Sequence, residues 1–207
     1  MHHEIVISGF GGQGALFAGQ LLAYGALAEG RHVTWIPSYG PEMRGGTANC
    51  TVVISDEEIG SPLTRHPSAA LVLNPPSFDR FEPAVKKEGV LIVNTSLIPT
   101  QSARVDIRVI YAPANAIASE LGAVQLANVV MVGALVEATG MLKFETLDQV
   151  LDERISERHR DRLELNRLAL RRGASAGIKS KTRRALQPFG SWRYRCSSSI
   201  VGNLAVS

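Results

Sequence analysis

The 207-residue sequence predicts an α/β protein: a three-layer α/β/α sandwich on a mostly parallel or mixed central sheet, followed by an irregular basic C-terminal tail. Three observations point there. Short β-branched runs alternate with longer helical segments, a pattern that stacks helices on a sheet. A glycine-rich turn joins the first strand to the first helix. The hydrophobic periodicity then stops at Arg172, where small and basic residues take over.

The elements follow in order. Glu4 to Ser8 (EIVIS) reads as a strand, and Gly9 to Gly14 (GFGGQG) as the turn. Ala15 to Gly30 is a helix, with Phe17, Leu21, Tyr24 and Ala28 at helical spacing and Gly30 as its stop. His32 to Pro37 is a second strand, expected to pair in parallel with the first as a βαβ unit. Cys50 to Ser55, Ala69 to Leu73, Val90 to Asn94 and Asp106 to Tyr111 are further strands. A helix with a proline-rich entry separates Leu73 from Gly89, and Ala114 to Leu121, Val124 to Thr139 and Phe144 to Arg171 complete the helices. Residues 1–172 form one domain in this reading, and residues 173–207 form a mobile tail, a docked arm or the product of a shifted reading frame.

Charge and cysteine content narrow the function. Of 22 Lys and Arg residues, nine fall in residues 167–207 beside no Asp or Glu, which leaves 13 basic against 19 acidic residues before them. The net charge of +3 is therefore a property of the tail, and nucleic-acid binding by the body is not implied. Cys50 and Cys196 are two isolated thiols, too few to ligate an iron-sulfur cluster that takes four. No segment suits a membrane helix, no secretory signal opens the chain, and a cytoplasmic location is expected. His2 and His3 are read as a fraying end, and His32, His66 and His159 as scattered residues without metal spacing. Asp56 to Glu58 reads as an exposed acidic turn.

The glycine turn leaves three readings open. Gly9, Gly11 and Gly14 have the spacing of a dinucleotide site, where glycines admit a tight turn and a close pyrophosphate. The acid such a site needs at the end of the second strand is missing, since that strand ends in Pro37, Ser38 and Tyr39, and Glu29 precedes it. The turn also fits a purely geometric role, or an anion site at a helix N-terminus. A second glycine-bearing loop, Ser38 to Cys50 (SYGPEMRGGTANC), is expected at the same sheet edge, where α/β proteins bind ligands and partners. It offers Tyr39, Glu42, Met43 and Arg44 among glycines. Asn74 and Asn94 end strands on that edge and serve as donors or caps.

GFGGQG, SYGPEMRGGTANCTVVISDEEIGSP, LVLNPPSFDRF and GVLIVNTSLIP, in this order, resemble the gamma subunit of the 2-oxoacid:ferredoxin oxidoreductases, most closely the 2-oxoglutarate and branched-chain types. The likeness covers residues 4 to 172 and excludes the tail. It implies a subunit that is not itself catalytic, in an enzyme that decarboxylates a 2-oxoacid oxidatively onto coenzyme A and reduces ferredoxin. It implies alpha and beta partners with thiamine diphosphate and magnesium, and iron-sulfur clusters with a ferredoxin-like delta partner. By that resemblance Gly9, Gly11, Gly12, Gln13, Gly14 and Arg44 would approach coenzyme A. Ser38, Tyr39, Gly40, Pro41, Glu42, Met43, Gly45 and Gly46 would meet the catalytic subunits.

Overall fold

A computed structural model of the chain describes residues 1–39, 47–154 and 162–185. Its six strands are β1 (His2–Phe10), β2 (His32–Tyr39), β3 (Thr47–Ser55), β4 (Ala69–Val72), β5 (Val90–Asn94) and β6 (Arg108–Ala112). Its helices are α1 (Ala15–Ala28), α2 (Pro75–Phe81), α3 (Ala114–Glu120), α4 (Ala127–Thr139), α5 (Phe144–Arg154) and α6 (Leu163–Ala185), with a 3-10 turn at Val124–Leu126 before α4. The strands form one mixed sheet in the order β2-β3-β1-β4-β5-β6.

The expected pairing of the first two strands is corrected here. β3 lies between β1 and β2 and is antiparallel to both, while β4, β5 and β6 continue from β1 in parallel. A strand's own residues fix which face is apolar but not which neighbour completes its hydrogen bonds, so a hairpin return between β2 and β3 was open to the same sequence. Because β1 and β2 are both antiparallel to β3, they still run in one direction. Their C-terminal ends therefore share an edge with those of β4 and β5.

The layers are unequal. On one face Ile7, Leu71, Ile92 and Ile110 pack with Leu22, Met131 and Leu135 of the helices. On the other, α2 and the chain after it bring Phe78, Val85 and Ile98 onto Val72, Leu91 and Val93. α4 is apolar all round and buries ten of its 13 residues, as a helix enclosed on several sides must. Of the α1 row at helical spacing, Leu21 is buried and Tyr24 packs against the core, while Phe17 and Ala28 are exposed; Ala18, Leu22 and Ala26 form a second, fully buried stripe. Small side chains face the sheet because α1 lies close to it, and a Cβ on Gly19 would strike the Cys50 sulfur and the Trp35 ring. Gly30 does end α1. With φ near 74° it lets its own N–H reach Leu27 O and that of Arg31 reach Ala26 O, which satisfies the last carbonyls.

Two further expectations change. His2 and His3 belong to β1, paired with Ser55 and Ile54, and do not fray. Residues 173–185, expected to be irregular, belong to α6, which runs to Ala185. Gly173 and Gly133 put the backbones of α6 and α4 in contact: a Cβ on either would collide with a carbonyl of the other helix. Residues 186–207, Cys196 among them, lie outside the described residues.

Candidate functional site

The glycine turn sits where β1 meets α1, on the C-terminal edge of the sheet. Gly9 is still in β1, opposite Ala48 of β3, and a side chain there would press on Leu73 and the Gln13 amide. Gln13 closes the turn: its N–H donates to Phe10 O at 3.0 Å, and its Oε1 accepts from Phe10 N at 2.6 Å and Asn74 Nδ2 at 3.2 Å. Gly14 caps α1 with φ 77°, and its carbonyl accepts from Asn128 Nδ2 at 3.0 Å. A Cβ at Gly14 would overlap the Asn128 amide. Gly12, with φ 96°, has nothing within 4 Å of the place a Cβ would take, so it faces open space. The first turn of α1 carries neither a side-chain cap nor an acid. An α-helix N-terminus without a capping side chain carries N–H groups and a positive dipole end, the arrangement that receives anions.

Two asparagines prepare the neighbouring ground. Asn74, fully buried, caps α2 by accepting Ser77 N at 2.9 Å while donating to Gln13. Asn94, equally buried, donates to Asn115 Oδ1 at 2.8 Å and accepts from Ser96 N and Ala114 N at 3.3 Å. Both are caps and donors at once. Between them and the turn lies a depression of about 210 Å³ lined by Gly12, Gln13, Asn94, Asn115, Val124 and Gln125 among others. Among the described residues no charged side chain lines it. Any charge on a ligand here would be met by the α1 N-terminus and by whatever the adjacent loop supplies.

That loop starts from the same edge. Ser38 and Tyr39 pair with Asn49 and Ala48 at the end of β2, and Thr47, across the loop, is opposite Phe10 of β1. The roots of the second loop therefore stand beside the glycine turn. Gly40, Pro41, Glu42, Met43, Arg44, Gly45 and Gly46 lie outside the described residues.

Asn128 and Asn115 escaped the sequence reading. A signal existed for the first, a lone amide opening the otherwise apolar run from Val129 to Val136, although nothing local says what it holds. Elsewhere the geometry argues against a dinucleotide site. With β3 interposed, β2 stands two strand spacings, roughly 10 Å, from β1 instead of beside it. Glu29 is occupied at the far end of α1, accepting Lys143 N at 2.8 Å and facing Arg31 at 3.2 Å. Cys50 is buried, and desolvation pushes its thiol up to about 12, so it holds its proton. No group of three or more His, Cys, Asp or Glu suited to a metal occurs among the described residues, and none of their helices is long and apolar enough to cross a membrane.

Residues 4–176 match the family model described as pyruvate ferredoxin/flavodoxin oxidoreductase. The chain belongs to this family. Among its relatives, the ketoisovalerate oxidoreductase subunit VorA of Methanothermobacter marburgensis is 43% identical over 64% of the chain, which spans only 27% of that longer protein. The 2-oxoglutarate synthase subunit KorC of Methanocaldococcus jannaschii is 36% identical, over 73% of this chain and 82% of its own length. The crystal structure of a keto/oxoacid ferredoxin oxidoreductase gamma subunit from Geobacter sulfurreducens PCA superposes with a TM-score of 0.76 at 28% identity, covering 87% of this chain and 98% of that one.

Proposed function

We propose that the chain is the gamma subunit of a cytoplasmic 2-oxoacid:ferredoxin oxidoreductase, and that the enzyme's 2-oxoacid is 2-oxoglutarate. What supports this is the match to a 2-oxoglutarate synthase subunit over 73% of this chain and 82% of that one, at 36% identity against 29% for a similarly sized gamma subunit shared by pyruvate and ketoisovalerate enzymes; the 43% match to ketoisovalerate subunit VorA spans only 27% of that protein. The whole enzyme would oxidatively decarboxylate the 2-oxoacid, pass the acyl group to coenzyme A and the electrons to ferredoxin. Thiamine diphosphate and magnesium would be held by alpha and beta partners, and iron-sulfur clusters by other chains, including a ferredoxin-like delta subunit.

This chain's own part is to shape the approach of coenzyme A. The uncapped α1 N-terminus at Gly14 and the open face of Gly12 suit a phosphate group, and the neutral amide-lined depression beside them suits an uncharged portion of the same molecule. Arg44 adds a guanidinium for the phosphate. Ser38 to Gly46 meets the catalytic subunits from the same edge.

The test is affinity purification of the tagged chain from its own cells. A complex containing thiamine diphosphate should accompany it, turning over 2-oxoglutarate faster than pyruvate or 3-methyl-2-oxobutanoate. Recovery of the chain alone, with saturable nicotinamide or flavin turnover, would overturn the subunit reading; preference for another 2-oxoacid would overturn the substrate. In that complex Arg44→Ala should weaken coenzyme A about tenfold, the size of a lost charged hydrogen bond of ~1.5 kcal/mol. An unchanged KM for coenzyme A removes Arg44 from the site.

A further inference from the structure

At the opposite edge of the sheet, where β1, β5 and β6 begin, lies an open depression of about 370 Å³, within the size range of small-molecule sites. Separate parts of the chain bring basic groups to it: His2 and His3 from β1, Lys86 from the turn before β5, and Arg108 from the start of β6. Glu88 is the one carboxylate among the lining residues, and Ser68 adds a hydroxyl. The Arg108 guanidinium is fixed by donating to Ala138 O, and its buried Nε–H has no partner among the described residues. Neither Lys86 nor Arg108 has a carboxylate within ion-pair distance among the described residues.

Two further acids near this edge have partners of their own. Glu4 faces His2 at 3.6 Å, and Asp56 holds the N-terminal ammonium at 2.5 Å and Arg31 at 3.6 Å. Burial first, then the charges of Arg31, Lys86, His2 and the N-terminal ammonium, hold the His3 pKa below the ordinary histidine value. Lys86 and Arg108 share the depression with a single lining carboxylate, Glu88, and an anion between the two cations would relieve their mutual repulsion.

We propose that this depression binds a phosphate-type oxyanion, free or as a monoester, with Lys86 and Arg108 meeting its charge and the His3 imidazole donating once protonated. The site is about 30 Å from the glycine turn, the length of a nine-residue strand, and stands independently of the gamma-subunit reading.

The full-length chain is titrated with inorganic phosphate, glycerol phosphate and, for the pH series, sulfate, which stays a dianion throughout; chloride at equal ionic strength is the control. Saturable binding is expected, read by calorimetry and by the His3 imidazole resonances, whose titration midpoint should move up as the site fills. Sulfate should bind more tightly at pH 6 than at pH 8, because the oxyanion favours the protonated ring. A monoester bound at least as tightly as free phosphate points to an organic ligand, the reverse to the inorganic ion, and both support the site. Lys86→Met, at an exposed side chain, should lower affinity about fivefold or more with Tm unchanged. His3→Asn should abolish most of the pH dependence. Binding no tighter than chloride, or Lys86→Met and His3→Asn chains that bind sulfate as the parent does at both pH values, overturns the proposal.

Discussion

At the scale of single residues, Gly14 and Asn128 show how one conformation ties a loop to a helix more than a hundred positions away. Gly14 adopts the left-handed region, and its carbonyl accepts the Asn128 amide while its bare Cα leaves room for that amide. Gly14→Ala faces both the left-handed strain of ~1–2 kcal/mol and a displaced hydrogen bond of ~1 kcal/mol. A loss of about 2 kcal/mol in urea unfolding is therefore expected. Gly12, with open space around it, should tolerate alanine with the backbone strain alone. Equal costs at the two positions would mean that Asn128 does not anchor the turn. The same scale explains Cys50, whose protonated, buried thiol fills space between Gly19 and Trp35 and offers no nucleophile.

At the scale of elements, the α4–α6 contact sets the edge of the described fold. Gly173 faces the Val130 carbonyl and Gly133 faces that of Leu170, whereas a Cβ at Gly177 would stand 3.4 Å from Ala134 O, an ordinary contact. The two glycines of one helical stripe should therefore respond differently. Gly173→Ala forces the helices apart and should cost about 3 kcal/mol, at the upper end of overpacking effects. Gly177→Ala should be neutral or stabilising by up to ~1 kcal/mol from helix propensity. Chemical denaturation of both variants checks this, and similar values for the two would show that the crossing is looser than described. Arg171 and Arg172, counted by sequence with the basic tail, here face Asp148 at 2.9 Å and Glu120 at 2.5 Å, joining α6 to α5 and α3. These pairs are exposed, so each adds at most about 1 kcal/mol.

At the scale of the whole molecule, the sheet places the glycine turn and the roots of the second loop on one edge and the basic groups His2, His3, Lys86 and Arg108 on the other. The turn at Gly11 to Gly14, the roots of the second loop at Tyr39 and Thr47, and the caps at Asn74 and Asn94 all belong to the first edge. The interposed β3 separates β2 from β1, and no acid at the end of β2 replaces the one a ribose would need. The isolated chain should accordingly show no saturable binding of NAD or FAD by calorimetry at concentrations up to ~1 mM, a weak-binding limit of about −4 kcal/mol. Micromolar affinity for either would contradict that account of the edge.

The sequence by itself determined the strands and the helices before Arg172 in outline, the strand–turn–helix opening, Gly30 as the end of α1, and the family, because these rest on local periodicity, glycine stereochemistry and ordered motifs. Asn74 and Asn94 were legible as edge residues for the same reason. Only the tertiary structure decided that β3 enters between β1 and β2, since backbone hydrogen bonds between strands carry no residue identity and either pairing buries the same apolar face. It alone showed that Ala18, Leu22 and Ala26 are the inner face of α1 and that the helix past Arg172 is held by glycines. A stripe of small residues packs by letting backbones approach, so it has no hydrophobic period to read; its meaning exists only when the opposing helix is in place.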